Sequence, residues 1–276
     1  MASFKNTVLQ NDQAAGLRRI MAKPRPRIVS ILSATPAQNQ ARLITNLAAS
    51  MIDQGSTVLV MHASEEARDA HYQLEHTRTL LETVMQKSST GHAIKTTRYG
   101  FSALKLMHKK SKHYLGEENN HALLDRVFNH LAHQYGIVLV DTELNEAGVL
   151  PLNTLNEAEI IIQLTRNPES ITEAYRLIKQ IYNALGRRSF GIIVDDATES
   201  QAKTVFRNIS DVAKRFMRID LEFFGAIPVD DHMHRAARHG RSVIDAFPMA
   251  IATAALKQIA QRLDYKHDGV LNNKLA

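Results

Sequence analysis

Ile28-Val-Ser-Ile-Leu32, Ser33-Ala-Thr-Pro-Ala-Gln-Asn-Gln-Ala-Arg42, Leu43-Ile-Thr-Asn-Leu-Ala-Ala-Ser-Met51 is an apolar β-branched run, a polar loop broken by a proline, and a segment whose large residues recur every three or four positions. It reads as a strand, a turn and a helix, the opening of a βα unit. The pattern repeats along the chain. Thr57–Met61, Ile137–Asp141, Glu159–Leu164, Phe190–Val194 and Leu221–Ile227 read as further buried strands, and Ala41–Gln54, His121–Tyr135, Ser170–Leu185, Lys203–Phe216 and Met249–Leu263 as helices. Strands alternating with helices of this length predict an α/β fold on a mostly parallel central sheet. Glu65–Lys112 breaks the rhythm with helical stretches and a polar Lys87–Gly91 turn, and no chemistry is assigned to it.

The 276 residues, 44% hydrophobic and 22% charged, suit one large α/β domain better than two small ones. With no cysteine, disulfides, thiolate nucleophiles and cysteine-ligated metal sites are excluded. The first residues hold no apolar stretch of signal-peptide length, and no later run approaches the roughly 18 apolar residues of a membrane span. The expected location is therefore cytoplasmic. The formal charge of +6 is spread over the chain, with concentrations at Arg18–Arg27, Lys105–Lys112 and Arg235–Arg241. Such a balance would draw phosphates, nucleic acid or an anionic membrane, and is equally that of an ordinary solvated surface.

A phosphate cradle between a first strand and its helix needs glycines, because backbone N–H groups must converge on the anion in conformations that side chains forbid. Residues 33–42 contain none. Pro36 removes a backbone donor, Gln40 carries no positive charge, and Ala41 carries no oxygen for a metal. Thirteen histidines, His232, His234 and His239 among them, stand at no recurring metal-ligand spacing and are expected on the surface. No G-x-S-x-G elbow is present, so hydrolase chemistry has no support.

The opening segment, with its Asn46-Leu47-Ala48 triplet, resembles the start of the MinD/ParA ATPases, whose loop reads GKGGVGKT. The resemblance implies a three-layer α/β sandwich of the P-loop NTPase class. Aligned without a gap, it puts the family's signature lysine on Thr35, its phosphate lysine on Gln40 and its magnesium-binding hydroxyl on Ala41. The acidic positions after the second strand fall on His62 and Ser64. Asp141 matches the strand-end aspartate, although Glu143 and Leu144 replace the small residues that usually follow it. Pro168–Lys179, Gly225-Ala-Ile-Pro-Val-Asp230 and the basic stretch from Ala237 are similar to the flagellar FlhG/FleN branch, which regulates flagellar number and placement. The resemblance thus implies a vestigial nucleotide site made of Ser33, Ala34, Thr35, Pro36, Ala37, Gln38, Asn39, Gln40, Ala41, Asp141, Pro228 and Asp195, which stands where the family has a base-recognising asparagine. Nucleotide hydrolysis and a resident cofactor are not expected. ATP and magnesium enter only where the altered loop still binds them.

Asp12-Gln13-Ala14, Gly16, Leu17, Arg18 and Arg19 match the helix by which that branch engages FlhF, a signal-recognition-type GTPase. The physical reading of 11–21 is a capped helix set off by Lys23-Pro-Arg-Pro, free to detach or packed on its own domain. The implied organisation is a partner-binding helix and linker over 1–26, an α/β domain over 27–265 and a tail over 266–276. The implied partners are an FlhF-like GTPase, flagellar basal-body or regulatory proteins and a second copy. The family's membrane helix corresponds to Ala255–Asp264, which is only mildly amphipathic, so a peripheral position at the inner face of the cell membrane is a secondary expectation. The leading expectation is a regulator that acts by protein contact and does not hydrolyse ATP. The alternatives are an ATPase switch with an atypical loop, in which Arg42 reaches the phosphates, and a basic partition-type protein that binds the DNA backbone.

Overall fold

The computed structural model describes residues 27–64, 69–111, 118–145 and 147–272. Its strands are β1 (Arg27–Ser33), β2 (Val58–His62), β3 (Ile94–Thr96), β4 (Ser102–Lys105), β5 (Ile137–Asp141), β6 (Glu159–Thr165), β7 (Phe190–Asp195) and β8 (Leu221–Ile227). They form one sheet in the order β3-β4-β2-β5-β1-β6-β7-β8, parallel throughout except for the antiparallel β3–β4 edge. The helices are α1 (Ala37–Asp53), α2 (Leu80–Met85), α3 (Glu118–Ala132), α4 (Pro168–Leu185), α5 (Glu199–Met217), α6 (Asp231–Arg238), α7 (Val243–Ala246) and α8 (Ile251–Asn272).

Alternation along each strand sorts the core into two halves. Val29 and Ile31 of β1 pack with Ile44 and Leu47 of α1 and with Leu256 and Ile259 of α8, while Leu32 faces the opposite layer with Phe128 of α3 and Ile178 of α4. Each fully buried side chain of this kind stabilises the fold by about 1.5–3 kcal/mol. Both faces of the sheet are therefore covered, which explains why β2, β5 and β7 are buried at every position. The expected mostly parallel α/β sheet is the one the chain forms, and the architecture is three-layered.

Local chemistry sets the helix ends. Asn167 caps α4 by accepting from Glu169 N, with Pro168 at the first helical position. Thr198 and Gln201 form a reciprocal capping box on α5. Between β7 and β8 the register slips, Ile192 pairing with Phe223 and Ile193 with Gly225. That bulge lays the Phe224 ring on Gly191, where a Cβ would meet Phe224 Cε2 at 2.6 Å.

Several elements differ from the sequence expectation. α1 begins at Ala37 rather than Ala41, because Pro36 ends the loop and the polar Gln38 and Asn39 fit a first turn that apolar periodicity does not mark. α8 continues to Asn272, beyond Leu263. The unassigned stretch from Glu65 supplies β3, β4, α2 and a 3-10 helix at Asp69–Tyr72, all too short to show a period.

Candidate functional site

Ligands of parallel α/β sheets bind beyond the carboxyl ends of the strands. Here the register lines up His62 with Asp141, Ser33 with Gln163 and Thr165 with Asp195 at that edge. The chain passes from β1 to α1 in three residues, Ala34, Thr35 and Pro36, and each turn is tied down. Ala34 N donates to Gln163 O (2.8 Å) and Asn39 N to Pro36 O (2.9 Å). Thr35 N donates to Ser33 Oγ (3.1 Å). The Ser33 hydroxyl donates to Gln163 Oε1 (3.1 Å) and lies 2.7 Å from Thr35 Oγ1.

Gln40 is 3% exposed. Its Nε2 donates to Ile31 O (2.7 Å) and Thr142 O (3.2 Å), so the amide bridges the ends of β1 and β5. Ala41 is fully buried in the core, and Pro36 occupies the cap position of α1 without a side-chain cap bond. Gln38 is exposed and Asn39 half-buried. Arg42 donates through Nη2 to Asn39 Oδ1 (3.2 Å), and its Nη1 lies 3.4 Å from His234 Nδ1.

Beside the loop, Gln163 is fully buried, and its Nε2 donates to Asp195 Oδ2 (2.9 Å). Asp196 N donates to Asp195 Oδ1 (3.1 Å). Burial, reinforced by the neighbouring Asp196 charge, pushes the Asp195 carboxyl up to about 6, against the opposing influence of Arg42 and these two hydrogen bonds. Pro228 follows β8, half-buried.

A second polar centre lies at the ends of β2 and β5. His62, Tyr72 and Asp141 are all fully buried. His62 Nδ1 lies 2.9 Å from Asp141 Oδ2, and Tyr72 OH donates to that same oxygen at 2.9 Å. On the other side of the ring, Nε2 is 3.8 Å from Asp69 Oδ1, and Lys105 Nζ donates to both Asp69 oxygens at 2.7 and 2.8 Å. Asp141, at the strand-end position, is thus held by two side chains, and His62 is not a surface histidine. Tyr72, Asp69 and Lys105 come from the stretch to which no chemistry was assigned. The sequence signal for the centre was a histidine closing the otherwise apolar Val58–Met61 run. Ser64, the other position aligned with family acids, is also buried.

His232 lies against Asp230, and His234 and His239 are exposed. No group of three or more histidines and carboxylates among the described residues is placed to hold a metal ion. No helix among them is long and apolar enough to cross a membrane. Asp12, Gln13, Gly16, Leu17 and Arg18 lie outside the described residues.

No family model matches the chain. Antiactivator FleN of Pseudomonas aeruginosa is 29% identical over 145 residues, 52% of this chain and 52% of that protein, so the match spans about half the length of the curated relative. MinD in the MinC:MinD complex of Aquifex aeolicus superposes with a TM-score of 0.64 at 18% identity, covering 86% of this chain and 95% of that one. The Mg-ADP complex of MinD from Pyrococcus horikoshii gives 0.64 at 17% identity over 86% and 96%. A ParA family ATPase of Chlorobium tepidum gives 0.63 at 18% identity over 86% and 98%.

Proposed function

We propose, from the premise that this is a MinD/ParA-type protein of the flagellar FlhG/FleN branch, that the chain regulates flagellar number, placement or assembly by protein contact and without turning over ATP. The observation that carries this reading is the side chain of Gln40. Phosphoryl transfer needs a cation at the transferring phosphate and an oxygen ligand for magnesium. At the position aligned with that cation, a neutral amide bridges the Ile31 and Thr142 carbonyls, and the next residue offers only the buried methyl of Ala41. Asp141 is engaged by His62 and Tyr72. The residues present do not fit a magnesium nucleotide in the family's manner.

The relative FleN is an antiactivator, a description that contact with another protein satisfies without catalysis. The proposed contact is made by the segment 12–20 on an FlhF-like GTPase, with Leu17 and Ile20 as apolar anchors and Gln13 and Arg18 directed at the partner's nucleotide site. Flagellar basal-body or regulatory proteins form the wider partner class. The test is the rate of GTP hydrolysis by a purified FlhF-like GTPase with and without the full chain. Leu17→Asp and Arg18→Ala are each expected to weaken the stimulation on the order of tenfold, as loss of a binding hot spot does. Stimulation by both variants equal to that by the parent, or none by the parent, would remove this partner.

A further inference from the structure

Three buried polar atoms without a hydrogen-bond partner among the described residues gather at the amino ends of β1, β6 and β7: Arg27 Nη1, Asn156 Oδ1 and Arg188 Nε. Shared contacts hold their residues together. Arg27, the first residue of β1, donates through Nε (3.2 Å) and Nη2 (2.5 Å) to Glu159 Oε2 at the start of β6, and its side chain is only 8% exposed. Arg188, two residues before β7, donates through Nη1 to Asn156 O (2.7 Å) and through Nη2 to Ala158 O. Asn156 and Ala158 lead into β6, which lies between β1 and β7 in the sheet. A buried donor or acceptor left unmade is costly, and native folds supply nearly all of them with partners. The complement missing here is two acceptors and one donor, spread across three adjacent strand ends.

A small anion would meet the two guanidinium groups but bring no donor for Asn156 Oδ1. Polypeptide backbone brings both, and the chain itself supplies some at this point. Pro26 is bonded to Arg27, and the stretch Lys23-Pro-Arg-Pro lies outside the described residues. Its prolines fix φ and lack an N–H, and Lys23 and Arg25, each before a proline, are restricted to extended backbone. The stretch therefore offers four carbonyl oxygens and, between its prolines, one N–H, with little conformational freedom to lose on docking. At about 3.1 Å per residue it covers roughly 12 Å, against roughly 10 Å for the two strand spacings from β1 to β7. Being tethered, it reaches the cluster at an effective concentration that a separate peptide does not match.

We infer that residues 23–26 cross the amino ends of β6 and β7 and complete this cluster. Their carbonyls accept from Arg27 Nη1 and Arg188 Nε, and the Arg25 N–H donates to Asn156 Oδ1. The preceding segment then leaves the fold at the amino edge of the sheet, opposite the β1–α1 loop. Under the proposed function, on which this consequence alone rests, a partner held by residues 12–20 engages the chain without touching that loop.

The chain has no cysteine, so Ala22→Cys in the full chain takes a single nitroxide label whose spectrum reads the mobility of the linker. The label is expected to be held, tumbling with the fold. Arg25→Pro removes the one N–H between the prolines from outside the described fold, and raises the mobile fraction at least about fivefold, as loss of one hydrogen bond shifts a docking equilibrium. Asn156→Ala and Arg188→Ala do the same, whereas Arg25→Ala, which keeps the N–H, leaves the label held. Should Arg188→Ala fail to fold, Arg25→Pro still decides. A label as mobile in the folded chain as in urea overturns the proposal, as does one that stays held after both Arg25→Pro and Asn156→Ala. Holding that disappears on dilution belongs to a second copy and overturns it too. No GTPase is present in this experiment, so its failure leaves the proposed partner contact standing.

Discussion

Replacing Asp141 by alanine lowers the unfolding free energy by about 3–5 kcal/mol, the cost of leaving two buried polar groups without the acceptor they share. Without the carboxylate, the ring nitrogen of His62 and the hydroxyl of Tyr72 both face a space from which water is excluded. Asp141→Asn keeps an acceptor oxygen for the two donors and loses roughly half as much. Tyr72→Phe removes a donor and leaves His62 in place, at a cost of about 1–2 kcal/mol. Urea midpoints at constant slope measure all three. An alanine variant within about 1 kcal/mol of the parent would mean that the pair is not a structural strut.

Asp195→Asn acts in the opposite direction. A carboxyl raised from 3.8 to about 6 favours its protonated form in the folded chain. The associated stability is complete below the unfolded value and is lost as pH rises through about 6. Above that range the buried carboxylate costs about 3 kcal/mol. The amide carries no such cost. It can also be accommodated: Gln163 turns its own amide over, its oxygen accepting from the new Nδ2 and its nitrogen facing Ser33 Oγ, while Asp196 N still donates to Oδ1. The variant is therefore expected to gain about 2–3 kcal/mol at about pH 8 and nothing at about pH 4. Paired urea titrations at the two pH values check this. A loss at the higher pH would show that attraction to Arg42 outweighs burial.

The parts of the fold legible in the sequence are those where burial is continuous. β1, β5, β6 and β7 are apolar runs closed on both faces, β8 is an edge strand buried from Phe224 to Ile227, and the limits of all five lie within a residue or two of the expected ones. β3 escapes because Ile94, Lys95 and Thr96 are an exposed or half-exposed edge with no apolar alternation. β4 and the Asp69–Tyr72 turn escape because each is a single short element held by distant partners. The altered loop was visible as missing glycines and a missing lysine. Its consequence was not, since the bond from Gln40 to Thr142 joins residues 102 apart. The surroundings of Asp195 likewise depend on Gln163, a neighbour set by strand register rather than by local sequence.

What the β1–α1 loop can hold is read directly by equilibrium binding of ATP and ADP with magnesium, run with a turnover assay on the purified full chain. No magnesium-dependent turnover by the parent is expected, and no gain in the Gln40→Lys/Ala41→Thr variant large enough to make an ATPase, because Pro36 and the absence of glycine still deny the cradle its backbone donors. Clear magnesium-dependent hydrolysis by the parent would contradict this expectation and return the chain to the nucleotide-driven switches whose fold it shares.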